Sequence, residues 1–115
     1  TLAGLSDGRI SKTLQAVHGN PAHAWTLEEM AEIAGMSRAR FAVHFKKMTG
    51  NTPGNYLAAW RLLLAQKLMK KGLALKLIAI EVGYGSSSAL ARAFSRELGC
   101  TPLAWLHAQK IAPTE

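Results

Sequence analysis

Acidic side chains are scarce in this sequence. Its 115 residues hold 7 Asp and Glu against 14 Lys and Arg, for a net charge of +7. That balance favours a polyanionic partner. Cysteine is nearly absent: Cys100 alone cannot close an internal disulfide, which fits a reducing cytoplasm. No apolar run approaches the roughly 18 residues of a membrane-spanning helix, so no membrane role is expected. The opening residues lack the basic-then-apolar layout of a signal peptide, and the missing initiator Met makes the chain an expected piece of a longer protein. No stretch alternates polar with β-branched apolar residues, which argues against a sheet. His18, His23, His44 and His107 combine with no Cys or acid at metal-ligand spacing, so no metal is expected. Nothing resembles a nucleophile–base pair or a phosphate-cradling Gly loop, so no catalytic residue, cofactor or enzymatic activity is expected. Hydrophobic residues at 49% are nonetheless ordinary for a globular protein and rule out a disordered basic tail.

The distribution of charge says more than its sum. Arg38, Arg40, Lys46, Lys47, Arg61, Lys67, Lys70, Lys71 and Lys76 follow one another with no Asp or Glu between Glu32 and Glu81. Either this is a solvated surface kept for solubility or it is a face for nucleic acid. Charge alone does not separate DNA from RNA or anionic lipid.

Helix boundaries are well marked. Asp7 can cap a first helix carrying Ile10, Leu14 and Val17 at helical spacing, which should end near Gly19-Asn20-Pro21. Thr26-Leu27-Glu28-Glu29 has the pattern of a capping box, and the helix it opens should stop at Gly35. Ser37 should cap a helix to about Thr49, with Phe41, Phe45 and Met48 on one face. Thr52-Pro53 opens a long helix whose apolar stripe is expected at Tyr56, Trp60, Leu63, Leu64 and Leu68, with Gly72 ending it. A short helix from Leu75 to Val82 leads to Gly83-Tyr84-Gly85. Ser86 or Ser87 then caps a helix with Leu90, Phe94 and Leu98, and Thr101-Pro102 starts a last one with Leu103, Trp105 and Leu106. The fold class is all-α.

The two halves repeat. Ala31-Glu32-Ile33-Ala34-Gly35-Met36 matches Ala79-Ile80-Glu81-Val82-Gly83-Tyr84. With one further residue of offset, Phe45, Gly50, Thr52, Pro53 and Tyr56 correspond to Phe94, Gly99, Thr101, Pro102 and Trp105. Each half is thus a short helix, a Gly turn, a second helix and a Thr-Pro-started helix, the layout of a helix-turn-helix unit. One such pattern is weak, because many helical hairpins bind only protein. Two copies joined by a long helix in a basic chain are far more specific.

The runs "WTLEEMAEIAGMSRARFAVHFKKMTGNTPGNYLAAWRL" and "IAIEVGYGSSSALARAFSRELGCTPLAW" resemble the DNA-binding domain of AraC/XylS-family transcription regulators. The signature Gly83-Tyr84-Gly85-Ser86 through Phe94 and Gly99-Cys100-Thr101-Pro102 is the most specific part. Residues 5–10, His18, Pro21 and Trp25 also resemble a subgroup with a cupin-like N-terminal sensor domain. The resemblance implies seven helices, with two helix-turn-helix subdomains (1–52 and 73–115) joined by a linking helix (53–72). It further implies that recognition helices at about 37–49 and 87–98 enter successive major grooves on one face of DNA, about 34 Å apart.

On the first recognition helix, the face opposite Phe41 and Phe45 presents Ala39, Ala42, Val43 and Lys46, flanked by Arg40 and Lys47. The family's base-contacting positions fall on Ala39, Ala42 and Val43, and many relatives carry Arg where this chain has Val43. Ala and Val can meet a thymine methyl but make no bidentate guanine contact, so Arg40 becomes a further base-reading candidate. Arg38, Lys46 and Lys47 are candidate phosphate anchors. The second recognition helix offers Ser87, Ser88, Ala91 and Arg92 for base reading and Ser95 and Arg96 for phosphates. Arg92 falls on a family base-contact position, although an ion pair with Glu81 or Glu97 is the structural alternative. Ser87 and Ser88 can instead serve as caps. Relatives often have a capping Ser where this chain has Ala74, and Lys76 follows in the first turn. Both weaken that helix, so the second unit is expected to be the more mobile one.

The partner expected from all this is double-stranded DNA, bound by a monomeric domain in the cytoplasm. The alternative is a helical protein-interaction module that contacts a transcription partner such as RNA polymerase.

Overall fold

The computed structural model describes residues 8–111. Asp7, expected as the first cap, and residues 5–7 of the sensor-subgroup resemblance lie outside that range. Among the described residues there are seven helices and no strand: α1 (Gly8–Gly19), α2 (Leu27–Ala34), α3 (Arg38–Thr49), α4 (Pro53–Lys70), α5 (Leu75–Val82), α6 (Ser87–Leu98) and α7 (Pro102–Ile111). The chain divides into two compact units between Ala58 and Ala59, within α4.

In the first unit the buried side chains include Ile10 and Val17 of α1, Met30, Ala31 and Ala34 of α2, Phe41 and Phe45 of α3, and Pro53 and Leu57 of α4. Each large one adds about 1.5–3 kcal/mol by leaving water. Thr13 is fully buried as well, and its hydroxyl donates to the Met30 carbonyl at 3.0 Å, tying α1 to α2. The capping box forms as its spacing predicts: the Glu29 amide donates to Thr26 Oγ1 at 3.0 Å, and the Thr26 amide donates to Glu29 Oε1 at 3.1 Å. Glu29 also meets His23 Nε2 at 2.8 Å. Trp25 is half-buried before the helix, with its indole edge-on to His23 and its Nε1–H donating to the Asn20 carbonyl at 2.9 Å.

The second unit has one core cluster: Leu62, Ala65 and Met69 of α4, Ile78, Ala79 and Val82 of α5, and Leu90, Ala93 and Phe94 of α6. Tyr84, Cys100, Trp105 and Leu106 pack against it. The Arg61 guanidinium lies 5.8 Å from the centre of the Tyr84 ring, and burial pushes the Tyr84 phenol above its usual range.

The stripe of α4 differs from the expected one. Leu57, Leu62, Ala65 and Met69 are buried, Tyr56, Trp60, Leu64 and Leu68 are half-buried, and Leu63 is exposed. A helix that serves two cores has no single stripe. In the second core, moreover, a small residue, Ala65, is fully buried among the larger side chains.

The repeat extends to individual hydrogen bonds. Gly35 (φ 71°) and Gly83 (φ 99°) take the left-handed conformation that ends α2 and α5. A side chain there would cost roughly 1–2 kcal/mol. The next amides then close the same bond, Met36 to the Ala31 carbonyl at 3.0 Å and Tyr84 to the Ala79 carbonyl at 2.8 Å. Thr52 and Thr101 cap α4 and α7 alike, accepting from the Asn55 amide at 3.1 Å and the Ala104 amide at 3.0 Å. Packing repeats too: Phe45 meets Tyr56 edge-on at 5.5 Å, and Phe94 meets Trp105 edge-on at 5.9 Å.

Candidate nucleic-acid interface

Helix α3 begins because Ser37 is extended and its hydroxyl accepts from the Arg40 amide at 3.3 Å. Phe41 and Phe45 bury one face, which turns the opposite one to solvent. There Ala39, Arg40, Val43, His44 and Lys47 line an open, shallow concavity. Val43 is 72% exposed, far more than an apolar side chain held for packing. Arg38 and Lys46 are exposed on the flanks, while Ala42 is half-buried and outside the concavity's lining. No acid on α3 competes for its four cations. His44 was not among the candidates from sequence, yet it lines the same surface. The signal was its spacing, one turn after Arg40 and one turn before Lys47, which places it among them.

Helix α6 begins at Ser86, whose hydroxyl accepts from the Ala89 amide at 3.1 Å. The cap is therefore Ser86, and the exposed Ser87 and Ser88 are not used for it. Leu90, Ala93 and Phe94 are buried. Arg92, Ser95 and Arg96 are exposed and Ala91 is half-buried. Among the described residues no carboxylate pairs with Arg92. The arginine that finds one is Arg96, whose Nε donates to Glu97 Oε2 at 3.2 Å. Both of those side chains are largely solvated, so the pair is weak and leaves the terminal nitrogens of Arg96 free to bind.

The structure also sorts the acid-free basic run. Arg61 lies against Tyr84 and the Lys70 ammonium sits 5.6 Å from the centre of the Trp105 ring, so these two cations belong to the second unit's packing. Of the rest of the run, Arg38, Arg40, Lys46 and Lys47 are exposed on α3 and Lys67, Lys71 and Lys76 are exposed elsewhere, while outside the run Arg92 and Arg96 are exposed on α6. Both surfaces thus lie on a helix whose other side is buried, by Phe41 and Phe45 on α3 and by Leu90, Ala93 and Phe94 on α6, and the solvent side of α3 carries no carboxylate. Such surfaces match the groove-entering helix of a helix-turn-helix. Among the described residues there is no group of three His, Cys, Asp or Glu able to hold a metal ion, and no helix long and apolar enough to cross a membrane.

Residues 30–108 match the family model described as a helix-turn-helix domain. A Streptomyces antibioticus protein named as an AraC-like transcription regulator is 45% identical over 102 residues, covering 88% of this chain and 34% of its own length. The RCS-specific HTH-type transcriptional activator RclR of Escherichia coli is 44% identical over 95 residues, covering 82% of this chain and 34% of its own. The chain therefore spans about a third of the length of these curated relatives. Among solved structures, the DNA-binding domain of AdpA, a global transcriptional factor crystallised with a target DNA, superposes with a TM-score of 0.82 at 28% identity, covering 89% of this chain and 93% of that one. This chain belongs to the helix-turn-helix domain family and is an AraC-type DNA-binding domain of a transcription regulator.

Proposed function

We propose that the chain binds an asymmetric duplex site as a monomer, with α3 and α6 in successive major grooves. The observation that carries this reading is the repeat itself. One chain holds two helix-turn-helix units alike in their turn, cap and aromatic contact, and each exposes cations on its second helix. The AdpA domain's complex with a target DNA supports duplex DNA as the partner.

In this reading the two helices divide the labour. Arg92 reads guanine O6 and N7, with Ser87, Ser88 and Ala91 beside it. Val43, Ala39 and Ala42 sense thymine methyls, and Arg40 supplies the polar contact that those three lack. Arg38, Lys46, Lys47, Ser95 and Arg96 hold phosphates, which sets register without reading sequence. The full-length protein works in the cytoplasm and carries a cupin-like N-terminal sensor, where an effector would bind. That most of the relatives' length lies outside this chain leaves room for such a domain. The poor base-reading chemistry of Ala39, Ala42 and Val43 favours a second role for the first unit, contact with RNA polymerase.

Titration of duplex DNA at two salt concentrations tests the proposal. Neutralising roughly 6–10 phosphates lowers affinity by about 10³–10⁵ between about 50 and 200 mM salt. A nearly flat response would rule out a phosphate-anchored complex.

A further inference from the structure

Helix α5 has a second apolar face that its own core does not use. Ile78, Ala79 and Val82 are buried, yet Leu77 and Ile80 are 56% and 51% exposed, and Leu73, just ahead of the helix, is 40% exposed. The fold does not demand the two on the helix. At the matching positions of the first unit, set by Ala31 and Ala79, α2 carries Glu28, Glu29 and Glu32 where α5 carries Lys76, Leu77 and Ile80. The same hairpin folds with acids there, so the apolar side chains answer some other need.

The pattern of the face says what covers it. Leu77 and Ile80 stand three residues apart on the helix, as neighbouring positions of a coiled-coil seam do, and Leu73 lies just before the cap Ala74. Lys76 and Glu81, both exposed, flank the seam on opposite sides. When two such helices run parallel about a two-fold axis, the residue before the seam on one meets the residue five positions later on the other. Lys76 of each copy then faces Glu81 of the other, and Leu77 and Ile80 of each pack on their counterparts. The face is complementary to itself in both shape and charge. An antiparallel pairing would instead set Lys76 beside Lys76 and Glu81 beside Glu81.

We infer that the Leu77–Ile80 face of α5, with Leu73 just ahead of it, is a docking surface for a second copy of this chain, in parallel two-fold contact. A helix of 8 residues buries far less than the roughly 1,000 Å² of a stable interface. The free chain is therefore monomeric at micromolar concentration, and the contact acts where DNA or the remainder of the protein holds two copies together. The pairing does not depend on how DNA is read.

Amide chemical shifts of the DNA-free chain, followed from micromolar to millimolar concentration, test it together with sedimentation. The expected result is a concentration-dependent shift confined to residues 73–81, with mass rising towards a dimer. Lys76→Glu and Glu81→Lys should each weaken association about tenfold by turning two attractions into repulsions. An equal mixture of the two variants, or both changes in one chain, should restore it. Loss of the helix does not mimic this result, because Lys76→Glu removes a cation from the first turn and favours the helix dipole. The absence of shifts up to millimolar concentration, or association that survives in both single variants, would overturn the inference.

Discussion

Arg92 and Arg96 lie four residues apart on α6 and differ in one respect. Arg96 has a carboxylate neighbour, Glu97, while Arg92 has none among the described residues. A guanidinium without an ion pair gives up little when it reaches into a groove, and its fork matches guanine O6 and N7. Arg92→Ala is therefore expected to cost about 1–3 kcal/mol in binding and to relax preference at one or two base pairs. Lys47→Ala, on the edge of the α3 concavity, should weaken all sequences about equally and lower the salt slope by about 1. Binding of both variants to a panel of single-base site changes checks this. Uniform weakening by Arg92→Ala would make it a phosphate anchor and not a reader. Thermal unfolding run alongside separates contact loss from damage to the fold.

At the scale of elements, α2 and α5 hold the same place in their units but end up with different supports. α2 starts on a complete capping box, with Glu29 held by His23 and the Thr26 amide. α5 starts at Ala74, which makes no side-chain cap bond. Ala74→Ser should stabilise the second unit by about 1 kcal/mol, read as slower amide exchange in α5 with α2 unchanged. Glu29 gives a matching prediction for pH. The hydrogen bond from His23, then that from the Thr26 amide, holds its carboxyl below the usual 4.5. A folded-state value below the unfolded one means a contribution that is present above pH 4.5 and lost as pH falls through the lowered value. The stability difference between the chain and Glu29→Gln, which keeps a capping side chain, should shrink over that window in thermal melts.

These elements also show what the sequence makes legible. Caps and stops are local, so Thr26, Ser37, Gly35 and Gly83 could be placed from their neighbours alone, and the helices α3 and α6 fall where the repeat puts them. The α4 stripe could not, because the partners of Leu62, Ala65 and Met69 lie on α5 and α6, and Ala65 looks unremarkable until something packs on it. His44 was missed for a related reason. A histidine between two cations on a helix face has no motif, and its spacing from Arg40 and Lys47 gains meaning once the surface shows the three together.

For the whole molecule, the central claim is that two units in one chain read one asymmetric site. The duplicated turns, caps and aromatic contacts say that both units are built to present a second helix. If the faces read as proposed, one short of polar base readers and one with Arg92, the two half-sites differ in sequence and in stringency. Selection of bound duplexes from a random pool, with the mass of the complex measured on the selected site, tests this most directly. The account predicts one chain per site and two dissimilar determinants about one helical turn apart, with the stricter one containing the guanine read by Arg92. Selected palindromes bound only by pairs of chains would contradict it.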